Sequence, residues 1–288
     1  MIAISIRCSI LKWITARRTT FLILICKSLR SARSSSTIIV TDAWQAPVLP
    51  ARERRRVSDA VIVSVIIPVL NEAERISEML HSLRFSGGNV PREIIVVDAD
   101  PAGNTIAGIS DPRVIKLTAP KGRASQMNAG AARASGDILL FLHADTLLPK
   151  NALSKIAAAL VDGRYVGGAF DLGLSNPRWI FRLTGWCASL KHRLTRVPYG
   201  DQAIFIRRNY FESLGGYPAI PVMEDVELMK RVKRQGGRIM ILPEAVVTSS
   251  RKWEKDGVVY TILRNWVLQA LYLFGVPAER LVKYYYKE

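Results

Sequence analysis

Apolar residues in this chain fall into short runs that end abruptly in polar groups, separated by stretches of helical periodicity. Val61 to Ile67, Glu93 to Val97 and Ile138 to Leu142 show almost no polar alternation. Such runs suit strands buried on both faces, as in a parallel sheet with helices on each side. Between them, Glu72–Phe85 places Ile76, Met79, Leu80 and Leu83 on one helical face. Arg113–Leu117 reads as a further strand. Lys121-Gly122-Arg123 opens a small-residue helix from Ala124 to Ala134, which Ser135-Gly136 stops. Asn151–Leu160 reads as a helix capped by Asn151. This alternation predicts an α/β fold with a right-handed, Rossmann-like, mostly parallel sheet flanked by helices.

The second half is less regular. Val166–Leu172, Gln202–Ile206 and Arg238–Leu242 read as strands, and Asp225–Gln235 as an amphipathic helix closed by Gly236-Gly237. From Val258 to Phe274 the chain is helical and aromatic, with Arg264, Asn265 and Gln269 breaking its apolar surface. Such a segment packs on the domain or lies in a membrane interface, and is too polar to cross a bilayer.

The polar ends of the runs carry the chemistry. Pro68 to Glu72, Asp98-Ala99-Asp100 and His143-Ala144-Asp145 all follow strands, where open α/β sheets bind ligands. An acid also commonly marks a strand end for no functional reason, but three at one sheet edge favour a site. Residues 143 and 145 share one side of an extended chain, so an imidazole and a carboxylate can converge on one cation.

Composition narrows the class. The chain has 288 residues, 49% of them hydrophobic, enough for a sizeable core but too few for a multi-span membrane protein. Three scattered cysteines give neither a disulfide framework nor a zinc site, and the three histidines form no metal-ligand pair. Of the net charge of +17, +8 falls on residues 1–60, which carry no acid before Asp42. That segment reads as a basic extension: a targeting peptide, a disordered arm or an over-extended start. Residues 61–250 form the expected main domain and 251–288 a helical tail. No nucleic-acid recognition motif accompanies the charge, which suits anionic small molecules or an acidic membrane surface.

In order, Val65-Ile-Ile-Pro-Val-Leu-Asn-Glu72, Ile95-Val-Val-Asp98, Gly122-Arg123 with Asn128-Ala-Gly130, Phe141-Leu-His-Ala-Asp145 and Met223-Glu-Asp-Val-Glu-Leu228 resemble the family 2 glycosyltransferases of the GT-A fold. The similarity is greatest to bacterial members with a Phe-Leu-His-Ala-Asp-Thr stretch. It implies inverting transfer of a sugar, of hexosyltransferase type, from a nucleotide-diphosphate donor to an acceptor hydroxyl or carboxylate. Pro68, Asn71, Glu72, Asp98, Gly122, Arg123 and Asp145 would line the donor site. Asp145, with His143 in place of the usual acid, would hold Mn2+ or Mg2+.

The resemblance makes Asp225 the general base, with Glu224 beside it raising its pKa by like-charge repulsion. Asp201, Gln202, Arg251 and Trp253 would border the acceptor. A lipid, carotenoid or saccharide acceptor is implied, at a cytoplasmic location or peripherally on the inner face of the cell membrane. A sugar nucleotidylyltransferase and an inactive membrane-associated scaffold are the rival readings. The former lacks its Gly-rich opening loop, and the intact Asp98, Asp145 and Asp225 argue against the latter.

Overall fold

The computed structural model describes residues 61–285; the basic extension expected over 1–60 lies outside them. Eight strands form one sheet in the order β3-β2-β1-β4-β7-β6-β8-β5. These are β1 (Val63–Val69), β2 (Arg92–Asp98), β3 (Val114–Thr118), β4 (Ile138–Phe141), β5 (Thr146–Leu147), β6 (Gly167–Leu174), β7 (Phe205–Arg207) and β8 (Ile239–Thr248). The β1–β2, β2–β3, β1–β4 and β6–β8 pairs are parallel. By contrast, β7 runs antiparallel to both β4 and β6, and β5 antiparallel to β8.

The unbroken runs are explained by burial on both sides. Val63, Val65 and Ile67 of β1 enter one core layer with Ile138 and Leu140 of β4. Ile66, Leu139 and Phe141 enter the layer on the other face. Helices α1 (Ala73–Ser86) and α4 (Ala152–Ala159) cover the first layer through Ile76, Met79, Leu83 and Ile156. Helices α3 (Arg123–Arg133) and α7 (Glu224–Arg234) cover the second through Met127, Leu228, Met229 and Val232. Gln126 of α3 is buried and donates to the carbonyls of Val69 and Val97, fastening that helix to the ends of β1 and β2. The remaining helices are α2 (Asn104–Ala107), α5 (Trp179–Thr195), α6 (Arg208–Ser213), α8 (Arg251–Asp256), α9 (Val258–Leu273) and α10 (Ala278–Tyr285).

Several expectations need correction. Residues 200–202 form a 3-10 turn rather than the start of a strand, and β7 begins only at Phe205. Asn151 does not cap α4: it adopts a left-handed backbone and makes no capping bond. The apolar pattern does not announce helix α5, because beside Phe181 its inward face buries only small and polar residues, Thr184, Gly185, Ser189 and His192. That face accepts close backbone contact: a β-carbon on Gly185 would lie 2.6 Å from the Leu172 carbonyl oxygen. Among the described residues no helix is long and apolar enough to cross a membrane.

Candidate functional site

Parallel pairing aligns the ends of three strands, with Val69 opposite Asp98 and Ile66 opposite Phe141. The polar segments after β1, β2 and β4 therefore share one edge. A cavity of about 280 Å³ opens there, walled by Arg123, His143, Asp145, Asp201, Asp225 and Lys252, and closed by Trp253, Arg264, Asn265 and Tyr285.

Backbone geometry holds the acids in place. Asp225 accepts from the Gly200 N–H at 2.8 Å and from the Val226 N–H at 2.7 Å, so it ties the 3-10 turn to the start of α7. Gly200 also leaves room for His143 against this turn, because a β-carbon there would sit 2.9 Å from His143 Nε2. Ala203 and Met223, on either side of these acids, have φ of 51° and 66°. Left-handed backbone at non-glycine residues costs energy and concentrates where function demands a fixed geometry.

Electrostatics separate the roles. Arg123 Nε lies 2.7 Å from Glu224 Oε1, and the Glu224 side chain is only 4% exposed. Burial pushes the Glu224 carboxyl up and Asp225 adds to this, against the opposing charge of Arg123. Burial, then the charges of Asp225 and Asp145, push Asp201 up to about 7. Asp145 faces the cavity and is also raised, by surrounding protein first and by Glu72 to a smaller degree. His143 is lowered to about 3 by burial and by Arg123, so its imidazole is neutral. Lys252 keeps contact with solvent, yet the protein around it, with Arg264 and Arg123, lowers it to about 8. Arg264 is itself paired with Asp256 at 2.9 Å.

Around this cavity Asp201 Oδ1, Glu224 Oε2, Asn265 Oδ1 and Arg264 Nε are buried without a hydrogen-bond partner. Buried polar atoms are rarely left so, and a cluster of them marks a place for a polar ligand. Among the described residues no three His, Cys, Asp or Glu side chains form a ready-made metal cage. The donor set still fits a hard divalent ion: the Asp145 carboxylate and a neutral imidazole can bind one that takes its remaining ligands from phosphate oxygens and water.

Other expected residues lie apart from the cavity walls. Asp98 is fully buried, and its carboxylate accepts from the N–H groups of Asp100, Thr105 and Ile106. It thereby shapes the loop after β2. Gln202 is fully buried too, donating to the Phe170 carbonyl and accepting from the Tyr199 N–H. Arg251 is exposed and bonds Ser249 Oγ. Pro68, Asn71 and Gly122 flank the edge outside the walls, with Asn71 at φ 57°. Glu72 pairs with Arg75 at 3.1 Å and reaches Asp145 through its charge. Lys252, Arg264, Asn265 and Tyr285 were missed. Lys252 stands between the expected Arg251 and Trp253, whereas no motif marks the other three, which reach the cavity because the tail folds back over it.

The model of glycosyl transferase family 2 matches residues 64–213, just over half of the chain. The chain belongs to this family. The family 2 transferase is 32% identical over 127 residues to a dolichol-phosphate mannosyltransferase of Pyrococcus furiosus, covering 41% of this chain and 36% of that one. It is 27% identical over 228 residues to the probable glycosyltransferase YdaM of Bacillus subtilis, covering 70% and 53%. The chain thus spans roughly a third to a half of the length of these relatives.

Two solved structures share its GT-A fold. The mannosyltransferase PcManGT of Pyrobaculum calidifontis, in complex with GDP-Man and Mn2+, gives a TM-score of 0.53 at 23% identity. That match covers 67% of this chain and 57% of the other. Residues 1–349 of S. aureus TarS, in complex with UDP-GlcNAc, give 0.50 at 18% identity, covering 65% and 58%. Membership of this family favours neither rival reading.

Proposed function

We propose that this glycosyltransferase moves a hexose from a nucleotide-diphosphate donor to an acceptor hydroxyl or carboxylate, with inversion, at the inner face of a membrane. One observation carries the reading: Asp145, Asp201 and Asp225 meet Arg123 and Lys252 around a single cavity at the sheet's carboxyl edge. The GDP-Man and UDP-GlcNAc complexes of its structural neighbours support the donor class.

In this reading the loop shaped by Asp98, with Pro68, Asn71 and Glu72, receives the nucleoside. Gly122 lets α3 begin at the diphosphate, and Arg123 and Lys252 face the charge that gathers there. Asp145 and His143 would hold a divalent cation, Mn2+ or Mg2+. When bound, that ion neutralises charge developing on the leaving diphosphate.

Asp225 takes the proton of an acceptor hydroxyl as its oxygen attacks the anomeric carbon from the face opposite the nucleotide. The new C–O bond forms as the bond to the diphosphate breaks, and the diphosphate leaves with the electron pair. An acceptor carboxylate needs no deprotonation. Glu224 positions Arg123, while Asp201 and Trp253 meet the acceptor. Gln202 fixes the turn that carries Asp201, and Arg251 orders the segment leading into α8.

The test is release of GDP or UDP from a panel of their sugars, with and without Mn2+. Release by the native protein and its loss in Asp145→Ala and Asp225→Asn is the expected result. Undiminished release in both folded variants would remove these residues from the site. No release or transfer from any donor would overturn the reading.

A further inference from the structure

Helix α9 presents the opposite amphipathicity to that of an ordinary surface helix. It buries Thr261, Arg264 and Gln269, together with Leu268, against the protein. Its outer face exposes Val259, Leu263, Trp266, Val267 and Leu273, with Leu263 56% and Trp266 57% exposed. Helix α5 does the same. Trp179, Leu183, Trp186, Leu190 and Leu194 recur every three or four residues, and all are exposed, Trp186 to 63% and Leu194 to 76%. One such stripe could be incidental. Two on neighbouring helices form a continuous apolar face of the kind that marks an interaction site.

The face has a path inward. A groove of about 290 Å³ runs between α5 and α9, walled by Ile180, Leu183, Ala188, Ile262 and Trp266. Its inner end is made of Tyr199, Asp201, Trp253 and Asn265, which also line the catalytic cavity. The two helices are joined there by polar bonds, with Lys191 Nζ and Tyr199 Oη both donating to Gln269 Oε1. An apolar trough thus ends at the carboxylate cluster.

Charge identifies what covers the face. Neither helix contains a single Asp or Glu, Arg178 and Arg182 are exposed beside the α5 stripe, and the whole chain carries +17. A second copy of so basic a surface would be repelled, whereas an anionic bilayer is attracted. A 16-residue helix is too short to cross the bilayer but suits its interface.

We propose that the α5–α9 face docks on an anionic membrane, and that the groove admits the hydrocarbon chain of a membrane-lipid acceptor, presenting its nucleophile at Asp201 and Trp253. This rests on the sugar-transfer reading above and names the acceptor's class.

The experiment uses the full chain with vesicles of equal parts phosphatidylcholine and phosphatidylglycerol, doped with a phosphatidylglycerol bearing a diazirine in its acyl chain. Partition should fall at least about tenfold when phosphatidylglycerol is omitted, and again in Trp186→Glu/Leu263→Glu, whose altered side chains are exposed. Illumination should place adducts on Ile180, Ile262 and Trp253. Ala188→Trp, which fills the groove, should remove those adducts while vesicle binding persists.

Adducts confined to Trp186 and Leu263 would overturn the path, as would failure to bind vesicles. A dimer in solution that masks the face and excludes vesicles would also overturn it. Donor hydrolysis without vesicles separates this inference from the transfer reading. Hydrolysis without groove adducts would defeat the path alone; groove adducts with no hydrolysis or transfer would defeat the transfer reading and leave the path standing.

Discussion

At the scale of single residues, the cavity works by placing like charges close together and compensating only some of them. Arg123 meets Glu224 in a mostly buried pair. Removing the cation alone leaves a buried carboxylate unpaired, which typically costs about 3–5 kcal/mol when burial is complete and less here because Arg123 is partly exposed. Arg123→Ala should therefore melt at a lower temperature than Arg123→Ala/Glu224→Gln, as read by differential scanning fluorimetry; the opposite order would show that the pair does not hold α3 to α7.

Asp201 makes a different prediction. Its folded carboxyl titrates at about 7, against an ordinary value of 3.8, so the folded state keeps a proton that the unfolded chain has lost. The stability this group carries is intact at low pH and is lost as pH rises through the interval between those values. Asp201→Asn cannot ionise. It should be more stable than the native protein by on the order of 2 kcal/mol at about pH 8, and equal to it at about pH 4. Asp225→Asn should reduce turnover by roughly 10²–10⁴-fold while nucleotide affinity, measured by calorimetry, stays nearly constant.

At the scale of elements, the close seating of α5 on the sheet sets both the groove and the position of Tyr199. Gly185 permits that seating, since a β-carbon would meet the Leu172 carbonyl oxygen. Gly185→Ala should cost about 1–3 kcal/mol in denaturant unfolding, as overpacking does. Cys187→Ala, two residues on and exposed, should stay within about 0.5 kcal/mol. Equal effects would mean that α5 does not rest on this contact. The same helix shows why part of the architecture escaped the sequence. Strands β1, β2 and β4 announce themselves because both faces are buried, leaving unbroken apolar runs. Apart from Phe181, helix α5 buries small and polar residues instead, so most of its apolar positions point away from the core they would ordinarily mark.

At the scale of the whole molecule, the tail helices close a cavity whose floor belongs to the sheet. A bound nucleotide should bridge the two, and ligand that binds only the folded state stabilises it by about 2.7 kcal/mol at a hundred times its dissociation constant. GDP or UDP, whichever the protein uses, should raise the melting temperature in a concentration-dependent way, and more so with Mn2+. No shift with either nucleotide would remove the donor site from this cavity.

The order of motifs along the chain was enough to determine the family, the α/β class, and the placing of Asp145 at a strand end, because strand burial and strand-end ligation are local consequences of sequence. Where the other groups meet was decided only by packing. Asp98 and Gln202 have the residue types of ligand contacts, but folding spends their hydrogen bonds on backbone N–H and C=O groups. Lys252, Arg264 and Asn265, which the sequence reading did not assign to the site, are brought beside the acids by the fold of the tail. The reversal of α9 is likewise invisible in one dimension. Periodicity shows that a helix has two faces, but which one meets water depends on what lies beneath it, and here that is a charged cavity beside a small apolar cluster of Val222, Leu268, Ala278 and Leu281.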